Sequence, residues 1–411
     1  MANTTEIMVP FDIKDVELIN TQANEAGQLI ITVRSTIESV CCHNCGKEAT
    51  KFYGHADERI IRHIESFGLE IYIRFCPKRY ECPHCGKTTT QQLSCCEPYC
   101  HHTTAYENHV LLQLVNSTVA DIAIKENLTT DEVQGIIDRH IDKKINWDLI
   151  EKIVLLGLDE ISSKKGHKDF VTIVTARIDG KTTILAILKN RKKDTVKKFL
   201  KTIPKRLRKT IEAVCSDMYE GFINAAKEVL KVKVVVDRFH VAKLYRKSLD
   251  SLRKSEMKRL KEELPEAEYK KLKNVMWTLR KNPSDLDFEE KTVLILLFNY
   301  SPMLRLAYKL CNELTCIFDQ DISKSKAKQK IKAWKRRVKN SDLTCFDSFL
   351  STQTKWENEI LNYFDGRHTS GFVEGLNNKI KVIKRRCYGI LNIGHWFQRI
   401  SLDLKGYSLF V

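Results

Sequence analysis

The feature that most constrains the fold is an alternation of strand and helix patterns between residues 152 and 236. Three apolar segments come first, and Asp179-Gly180, a strong hairpin signal, separates the second from the third. A basic helix pattern, a strand, a second helix and a last strand follow. Such an order predicts a sheet covered by helices, an α/β layer architecture. The predicted elements are β at 152–161, 169–178 and 181–188, α at 194–203, β at 211–215, α at 221–230 and β at 232–236.

Three carboxylates stand at positions that a structural role alone explains poorly. Asp159 and Asp217 each end an apolar run, and Glu374 opens a strongly patterned helix. The strand order is that of a ribonuclease-H-like core, in which Asp159 and Asp217 fall on neighbouring strands. Two strand-end acids and a third on a late helix can hold two Mg²⁺ (or Mn²⁺) ions for phosphodiester chemistry. For each acid taken singly, a turn, cap or helix-dipole role stays open.

Composition limits the number of domains, the kind of molecule that the protein binds and the compartment in which it works. The 411 residues, 43% of them apolar, suffice for about two to four domains. The formal net charge of +17 favours a polyanionic partner such as nucleic acid. The chain has no run of eighteen apolar residues, so we expect no membrane span. Its first residues lack the pattern of a signal peptide, so we expect a cytoplasmic protein without a disulfide framework.

Nine of the 14 cysteines precede residue 101 and mark an N-terminal module of short strands. Two C-x2-C pairs, each followed by glycine, have the shape of zinc knuckles, and Cys41 could replace Cys42 by a shift of one residue. The predicted ligands of one tetrahedral Zn²⁺ are Cys42, Cys45, Cys82 and Cys85. A second metal site stays open at residues whose spacing matches no standard site, namely Cys76, Cys95, Cys96 and Cys100 with His101 and His102.

Residues 104–142 read as helical, and 117–140 predict a helix-turn-helix. Thr129 and Glu132 form a capping box at the start of its second helix. A DNA-reading helix would present Thr130 and Gln134 to a groove and hold Arg139 near a phosphate. A plain helical linker is the alternative, because many helical hairpins share this pattern.

Residues 241–365 lack strand patterning and predict a helical insertion, with helices at 266–281, 289–299, 303–318 and 324–338. The run 323–339 carries nine basic residues and no acid, which indicates either a solvated face or a contact with the DNA backbone.

The helix that begins at Gly371 has one apolar stripe and a polar face beside it. The polar face offers a carboxylate, then amides, then cations, an order that suits a metal at one end and DNA phosphates further along. The DNA contacts predicted on this helix are Asn377, Asn378, Lys381, Lys384 and Arg385. Asp237 and His240 either have a packing role, as a strand-end acid and a histidine against the helical insertion, or act at the site, where they support its geometry or contact flipped DNA.

Several motifs together resemble the bacterial insertion-sequence transposases of the ISL-three family, within the DDE superfamily, over nearly the full length. The most specific is 369–389, in which Ser370 stands where asparagine is often found. The others are the cysteine pairs, the helix-turn-helix, Gly157-Leu-Asp-Glu160, Cys215-Ser-Asp-Met-Tyr219 and the D-x2-H pattern within 236–241.

The resemblance implies that Asp159, Asp217 and Glu374 are a metal-binding catalytic triad. It implies cleavage and strand transfer at terminal inverted repeats, with double-stranded DNA of the element ends and the target as partner. It also implies a homodimer or higher assembly in a synaptic complex, in the bacterial cytoplasm at the nucleoid.

The predicted domains follow these motifs. They are a zinc-ribbon-like module (1–100), a helix-turn-helix (101–148), the first part of a ribonuclease-H-like core (149–240), an all-helical insertion (241–365) and the last part of the core with the Glu374 helix (366–411). Two alternative functions stay open. One is a zinc-dependent DNA-binding regulator with an inactive nuclease-like core. The other is a nuclease or resolvase that acts on branched or hybrid substrates.

Overall fold

The structure is a computed structural model that describes residues 13–162, 170–369 and 371–410, without the side chains of Phe372 and Glu374. The chain divides into two compact units. One comprises the residues up to Asp142 together with those from Gln398 onward, and the other is Lys143–Phe397. Among the described residues, no helix has the length and apolarity that a bilayer crossing requires.

The first unit begins with small sheets. A four-stranded sheet has the order β1-β2-β7-β6, a three-stranded sheet has the order β5-β8-β9, and β3 pairs with β4. Alternate residues of β7 are buried, among them Ile71, Ile73 and Phe75, because successive side chains of a strand point to opposite faces. The strands are β1 (Val16–Ala23), β2 (Leu29–Ser35), β3 (Val40–Cys41), β4 (Glu48–Ala49), β5 (Lys51–His55), β6 (Arg59–Ser66), β7 (Leu69–Phe75), β8 (Lys78–Glu81) and β9 (Thr88–Thr90).

Three helices follow in the same unit, and each begins at a threonine whose side chain accepts a backbone N–H. The capping box of Thr129 and Glu132 is confirmed. The helices share an apolar core that includes Leu114, Ile122 and Ile136. They are α1 (Thr104–Leu114), α2 (Val119–Lys125) and α3 (Thr130–His140).

The end of the chain completes this helical core. Leu402, on the last helix, is fully buried among the side chains of the three helices. Arg399 Nη2 donates to the carbonyl oxygens of Leu114 and Ser117, each at 3.0 Å. These carbonyls lie at and beyond the end of α1, where intrahelical partners are lacking. Arg399 therefore adds to the one backbone hydrogen bond that Leu114 accepts from Ser117. We did not predict this packing from the sequence.

The second unit contains a five-stranded sheet with the order β12-β11-β10-β13-β14. Strands β10, β11 and β12 are antiparallel neighbours, whereas β10, β13 and β14 run parallel. The strands are β10 (Leu155–Ser162), β11 (Phe170–Ile178), β12 (Lys181–Leu188), β13 (Ala213–Ser216) and β14 (Lys233–Val236). The helices between them are α4 (Lys193–Thr202), α5 (Lys205–Arg208) and α6 (Glu220–Leu230). The predicted strand positions are therefore confirmed to within a few residues, and the short α5 is additional.

Helices dominate the rest of the second unit and share one apolar core with the sheet. The predicted single helix at 266–281 is wrong, because Asn274 adopts a left-handed conformation (φ 64°) and separates two short helices there. The helices are α7 (Arg238–Glu263), α8 (Glu266–Lys270), α9 (Val275–Thr278), α10 (Phe288–Tyr300), α11 (Pro302–Asp319), α12 (Lys324–Lys339), α13 (Asp347–Lys355), α14 (Glu357–Leu361), α15 (Gly371–Arg386) and α16 (Ile393–Phe410), whose residues from Gln398 belong to the first unit. Short 3-10 turns occupy Trp147–Leu149, Pro283–Asp285, Thr344–Phe346 and Asn362–Phe364.

Candidate active site and zinc centre

The candidate active site lies where β13 ends beside its parallel neighbour β10, which continues to Ser162. Strand β10 pairs with β13, and Leu158 stands opposite Ser216. The next residue in each segment is an aspartate, so Asp159, within β10, and Asp217, directly after β13, lie at the point where the parallel pairing stops, both half-buried. The strand positions of the two acids are as expected from the sequence, whereas their metal-binding role stays a prediction.

Helix α15 packs against β10 and brings Asn377 to this edge. Asn377 Nδ2 donates to Asp159 Oδ2 at 2.5 Å, and the backbone N–H of Glu160 donates to Asp159 Oδ1 at 2.7 Å. Asn377 is only 4% exposed, and its buried Oδ1 has no hydrogen-bond partner among the residues that the structure describes. The reverse orientation would set the amide oxygen against the carboxylate, so the hydrogen bond fixes the amide orientation. The result is a buried, unpaired oxygen beside the acids.

Burial and mutual repulsion make the two acids costly to ionise. Burial, followed by the charges of Asp159 and Glu160, raises the pKa of the Asp217 carboxyl to about 6, while His240 opposes the shift. Burial also raises the pKa of Asp159, against the opposing effect of the Glu160 backbone N–H. A divalent cation would relieve this repulsion. Two carboxylates and an unpaired amide oxygen are hard oxygen donors of the kind that Mg²⁺ binds, so these residues fit such an ion.

Glu374 is the fourth residue of α15, and its side chain lies outside the described residues. The other predicted residues of this helix differ in their surroundings. Asn378, Lys381 and Arg385 are exposed, and the charge of Lys381 acts on Asp159. Lys384 Nζ instead donates to the Ser162 carbonyl oxygen at 2.9 Å, and burial lowers its pKa.

Arg191 and Glu160 form a charged pair at this site that the sequence did not lead us to predict. Arg191 Nη1 donates to both carboxylate oxygens of Glu160, at 3.1 and 2.8 Å. Its guanidinium also lies over the rings of Phe170 and Tyr219, 4.4 and 4.8 Å from their centroids. The only sequence signal was adjacency, because Glu160 follows Asp159 and Tyr219 lies two residues after Asp217.

Asp237 and His240 have different surroundings in the structure. Asp237 is buried and caps α7, since its carboxylate accepts the backbone N–H of Phe239 at 3.0 Å. His240 lines a cleft together with Asp217. A packing role therefore accounts for Asp237, and His240 is the one that faces the site.

The predicted zinc ligands converge in the first unit. The sulfur atoms of the four cysteines lie within 4.8 Å of one another, with 3.6 Å between Cys42 and Cys85 and 3.6 Å between Cys45 and Cys82. Tetrahedral Zn²⁺ with Zn–S bonds of about 2.3 Å requires sulfur separations of roughly 3.8 Å, so the set fits zinc. Backbone N–H groups of Cys45 and Asn44 lower the pKa of the Cys42 thiol to about 6, which favours the thiolate that a metal needs.

Both knuckles have the same backbone shape, which explains the glycine after each pair. The Gly46 N–H donates to the Cys42 carbonyl oxygen, and the Gly86 N–H donates to the Cys82 carbonyl oxygen. Gly46 and Gly86 adopt φ of 68° and 67°, a conformation that glycine tolerates best. Cys41 is exposed and lies outside the cluster, so Cys42 is the ligand that the geometry supports. Within the described ranges, no second metal-ligating group of three or more side chains forms around the remaining cysteines.

The three helix-turn-helix residues predicted to contact DNA differ in their exposure and in their partners. Thr130 is exposed at the start of α3. Gln134 Nε2 donates to Asp138 at 2.9 Å, and Arg139 forms an ion pair with the fully buried Glu107. Gln134 and Arg139 would therefore have to share or exchange these partners to contact DNA, and all three contacts stay predictions.

The basic helix α12 has two kinds of cation. Lys330, Lys335 and Arg337 are paired with neighbouring side chains. Trp334 is fully buried, and its indole N–H donates to the Leu310 carbonyl oxygen at 2.8 Å, so its role is to anchor the helix. Four other exposed cations form a row at helical spacing, namely Lys328, Lys332, Arg336 and Lys339, and Lys326 is exposed as well.

Two protein-family models and several curated proteins match this chain. Residues 156–400 match the ISL3 family model described as transposase, and residues 91–141 match the helix-turn-helix domain of transposase family ISL3. The chain is 25% identical over 395 residues to the transposase for insertion sequence element IS1001 of Bordetella parapertussis, which covers 95% of each chain. It is 21% identical over 417 residues to the transposase for insertion sequence element IS1557 of Mycobacterium tuberculosis, which covers 96% of this chain and 93% of that one. Because the transposase model alone matches more than half of the chain, the protein belongs to the ISL3 family of transposases.

Proposed function

We propose that this protein binds the terminal inverted repeats of an insertion sequence and catalyses Mg²⁺-dependent strand cleavage and strand transfer. The single observation that carries the proposal is the meeting of Asp159 and Asp217 where the pairing of two parallel strands stops, with the Glu374 helix packed against β10. We further propose that the sheet is a ribonuclease-H-like core. The mixed strand order and the long helical segment between β14 and α15 support this proposal.

Asp159, Asp217 and Glu374 would hold the metal. A divalent cation held by these residues would supply activation of the attacking water and stabilisation of charge on the leaving 3′-oxygen. Asn377 orients the Asp159 carboxylate through its amide N–H. Arg191 holds Glu160 through both oxygens, which limits the negative charge that Glu160 adds beside Asp217. The 3′-hydroxyl released by cleavage would then be the nucleophile that attacks target DNA.

The first unit would dock the DNA. The four-cysteine cluster would hold Zn²⁺ and fix the two knuckles, and the helix-turn-helix would read the repeat. Contacts are proposed at Thr130, Gln134, Arg139, Asn377, Asn378, Lys381, Lys384 and Arg385. Synapsis of two ends would require a homodimer or larger assembly, and we place the protein in the bacterial cytoplasm at the nucleoid.

The proposal is tested by incubating purified protein with DNA that carries the element end and Mg²⁺. Asp217→Asn should bind this DNA but reduce cleavage to background. Asp148→Asn is the matched control, because that side chain is 96% exposed, and it should cleave like wild type. Equal cleavage by Asp217→Asn and wild type would contradict the catalytic assignment. Binding without cleavage by wild type, with either Mg²⁺ or Mn²⁺, would support the regulator instead.

A further inference from the structure

The first turns of helix α7 present a cationic ridge that the predicted site residues do not include. Lys243 and Lys247 are exposed and one helical turn apart. In the described parts of the chain, neither has an ion pair or a side-chain hydrogen bond. Other cations of the same helix are paired, as Arg253 and Lys254 are with Asp250. Two like charges four residues apart destabilise a helix unless an anion neutralises them, so the ridge favours an anionic ligand.

One flank of this ridge opens on the candidate active site. Lys243 and Lys247 line a cleft of about 360 Å³ together with Asp217, Tyr219 and His240. A phosphate on the ridge would therefore belong to the DNA strand that reaches the acids. Cations beside an acidic pair are what a phosphodiester backbone needs on approach, because they offset repulsion between its charge and the carboxylates.

The other flank of the ridge is an apolar pocket of about 430 Å³. Lys243 and Lys247 line this pocket too, so the two cavities share the ridge. At about 100° per residue, the pocket-lining and cleft-lining positions of α7 lie on adjacent faces of the helix. Apart from the charged rim, the lining side chains are Phe239, Ala242, Leu249, Met276 and Leu279.

Two features of the pocket favour a ligand that has both a flat aromatic ring and a negative charge. The Phe239 side chain is 52% exposed although it is a large apolar group, so its ring is available for stacking. The one acid of the lining, Asp250, is neutralised by Arg253 and Lys254, so it does not repel an anion. A nucleotide combines an anionic phosphate with a base that has two apolar faces. In a duplex those faces are covered by neighbouring bases, so only an unpaired nucleotide could place its base here.

We propose that the α7 ridge and its apolar pocket bind one unpaired nucleotide of the DNA strand that enters the active site. Lys243 and Lys247 hold the phosphates on either side of this nucleotide, and its base stacks on Phe239. The inference rests on the proposed function for the identity of the strand, but the binding itself requires neither cleavage nor a bound metal.

The test measures binding of a fluorescent ten-nucleotide single strand by anisotropy, in magnesium-free buffer over a range of salt concentrations. Each phosphate contact contributes about 0.7 to the slope of log affinity against log salt for a single strand. The double variant Lys243→Gln/Lys247→Gln should therefore reduce the slope by about 1.4. The matched control is Lys258→Gln/Lys261→Gln, which removes two charges at exposed positions of the same helix. Its slope should fall only by the general effect of losing two positive charges, and so by less than that of the ridge variant. An equal slope in ridge and control variants would overturn the proposal.

The base contact is tested with Phe239→Ala and with strands that contain an abasic position. Loss of stacking should weaken binding of the complete strand by about 5- to 150-fold and leave binding of the best-placed abasic strand unchanged. Phe288→Ala is the control, because that ring is 84% exposed and lies outside the pocket lining. Equal effects of Phe239→Ala on complete and abasic strands would overturn the base-binding part.

The two proposals can fail separately. A protein that cleaves element ends but shows unchanged salt slopes in the ridge variant overturns the nucleotide site alone. A protein that passes both binding tests but never cleaves DNA supports the nucleotide site and overturns the proposed catalysis.

Discussion

Replacing Asp217 with asparagine should stabilise the second unit in magnesium-free buffer, although it should abolish cleavage. Burial, followed by the charges of Asp159 and Glu160, raises the pKa of the Asp217 carboxyl from 3.8 to about 6. A carboxyl whose pKa rises on folding contributes stability that is fully present below its unfolded pKa. That stability is lost as the pH rises through about 6. Asparagine has nearly the same shape and no charge, so it avoids this loss.

The magnitude follows from the difference between the folded and unfolded pKa values of Asp217, 6 − 3.8 = 2.2. At ~1.4 kcal/mol for each pKa unit, the ionised carboxyl lowers the free energy of unfolding by about 3 kcal/mol. By linkage, the free energy of unfolding of Asp217→Asn should exceed that of wild type by about 3 kcal/mol near pH 7.5 and by about half of that near pH 5. The advantage should disappear below the unfolded pKa of 3.8.

Tryptophan fluorescence in a urea titration measures this effect, because every tryptophan of the chain lies in the second unit. They are Trp147, Trp277, Trp334, Trp356 and Trp396. Asp148→Asn serves as the control and should unfold like wild type. Added Mg²⁺ should stabilise wild type but not Asp217→Asn, because a ligand that binds only the folded state raises its stability. The reasoning is refuted if Asp217→Asn is no more stable than wild type near neutral pH, or if acid leaves the difference unchanged.

Three further outcomes concern the first unit. Cys82→Ser should lose the bound zinc, from about one ion per chain to none by elemental analysis, whereas the exposed Cys76→Ser should retain it; zinc retained by Cys82→Ser would contradict the four-cysteine centre. Glu107→Ala removes the buried carboxylate that accepts from Arg139 and His140, and should destabilise the unit by about 1.5–3 kcal/mol. Hydrogen exchange of α1 and α3 would detect this loss, and unchanged protection would argue against it. Leu402→Ala should cost about 2–5 kcal/mol in the same measurement, because it opens a cavity among α1, α2 and α3. The exposed Leu409→Ala should have no effect, and equal exchange in both variants would show that the chain end is not part of this core.

Local patterns were enough to predict the sheet that positions the two aspartates. The Asp179-Gly180 hairpin joins β11 and β12, and both residues adopt positive φ, of 49° and 74°. The apolar run before Asp159 becomes the buried part of β10. Hydrophobic periodicity and turn chemistry act over a few residues, so they can be read from the chain directly.

Contacts between distant residues could not be predicted in this way. Asn377 lies 218 positions after Asp159, and its exposed-face pattern on α15 suggested a DNA contact rather than a buried hydrogen bond. The basic run of α12 suggested a solvated face or a DNA contact, but several of its cations pair instead with side chains of other segments, as Lys335 does with Glu357 and Arg337 with Glu313. Helical spacing defines which residues share a face, and only packing decides what that face meets.

By itself, the sequence determined the cysteine knuckles, the helix-turn-helix, the strand order and the identity of the candidate acids. Each of these depends on spacing within a short segment or on residue chemistry that no fold can change. Only the tertiary structure decided which groups share a site. It paired Arg191 with Glu160, brought Asn377 to Asp159 and added Leu402 and Arg399 to the helix-turn-helix core. The physical reason is that burial and long-range hydrogen bonds depend on how separate segments pack, and a linear pattern does not record that packing.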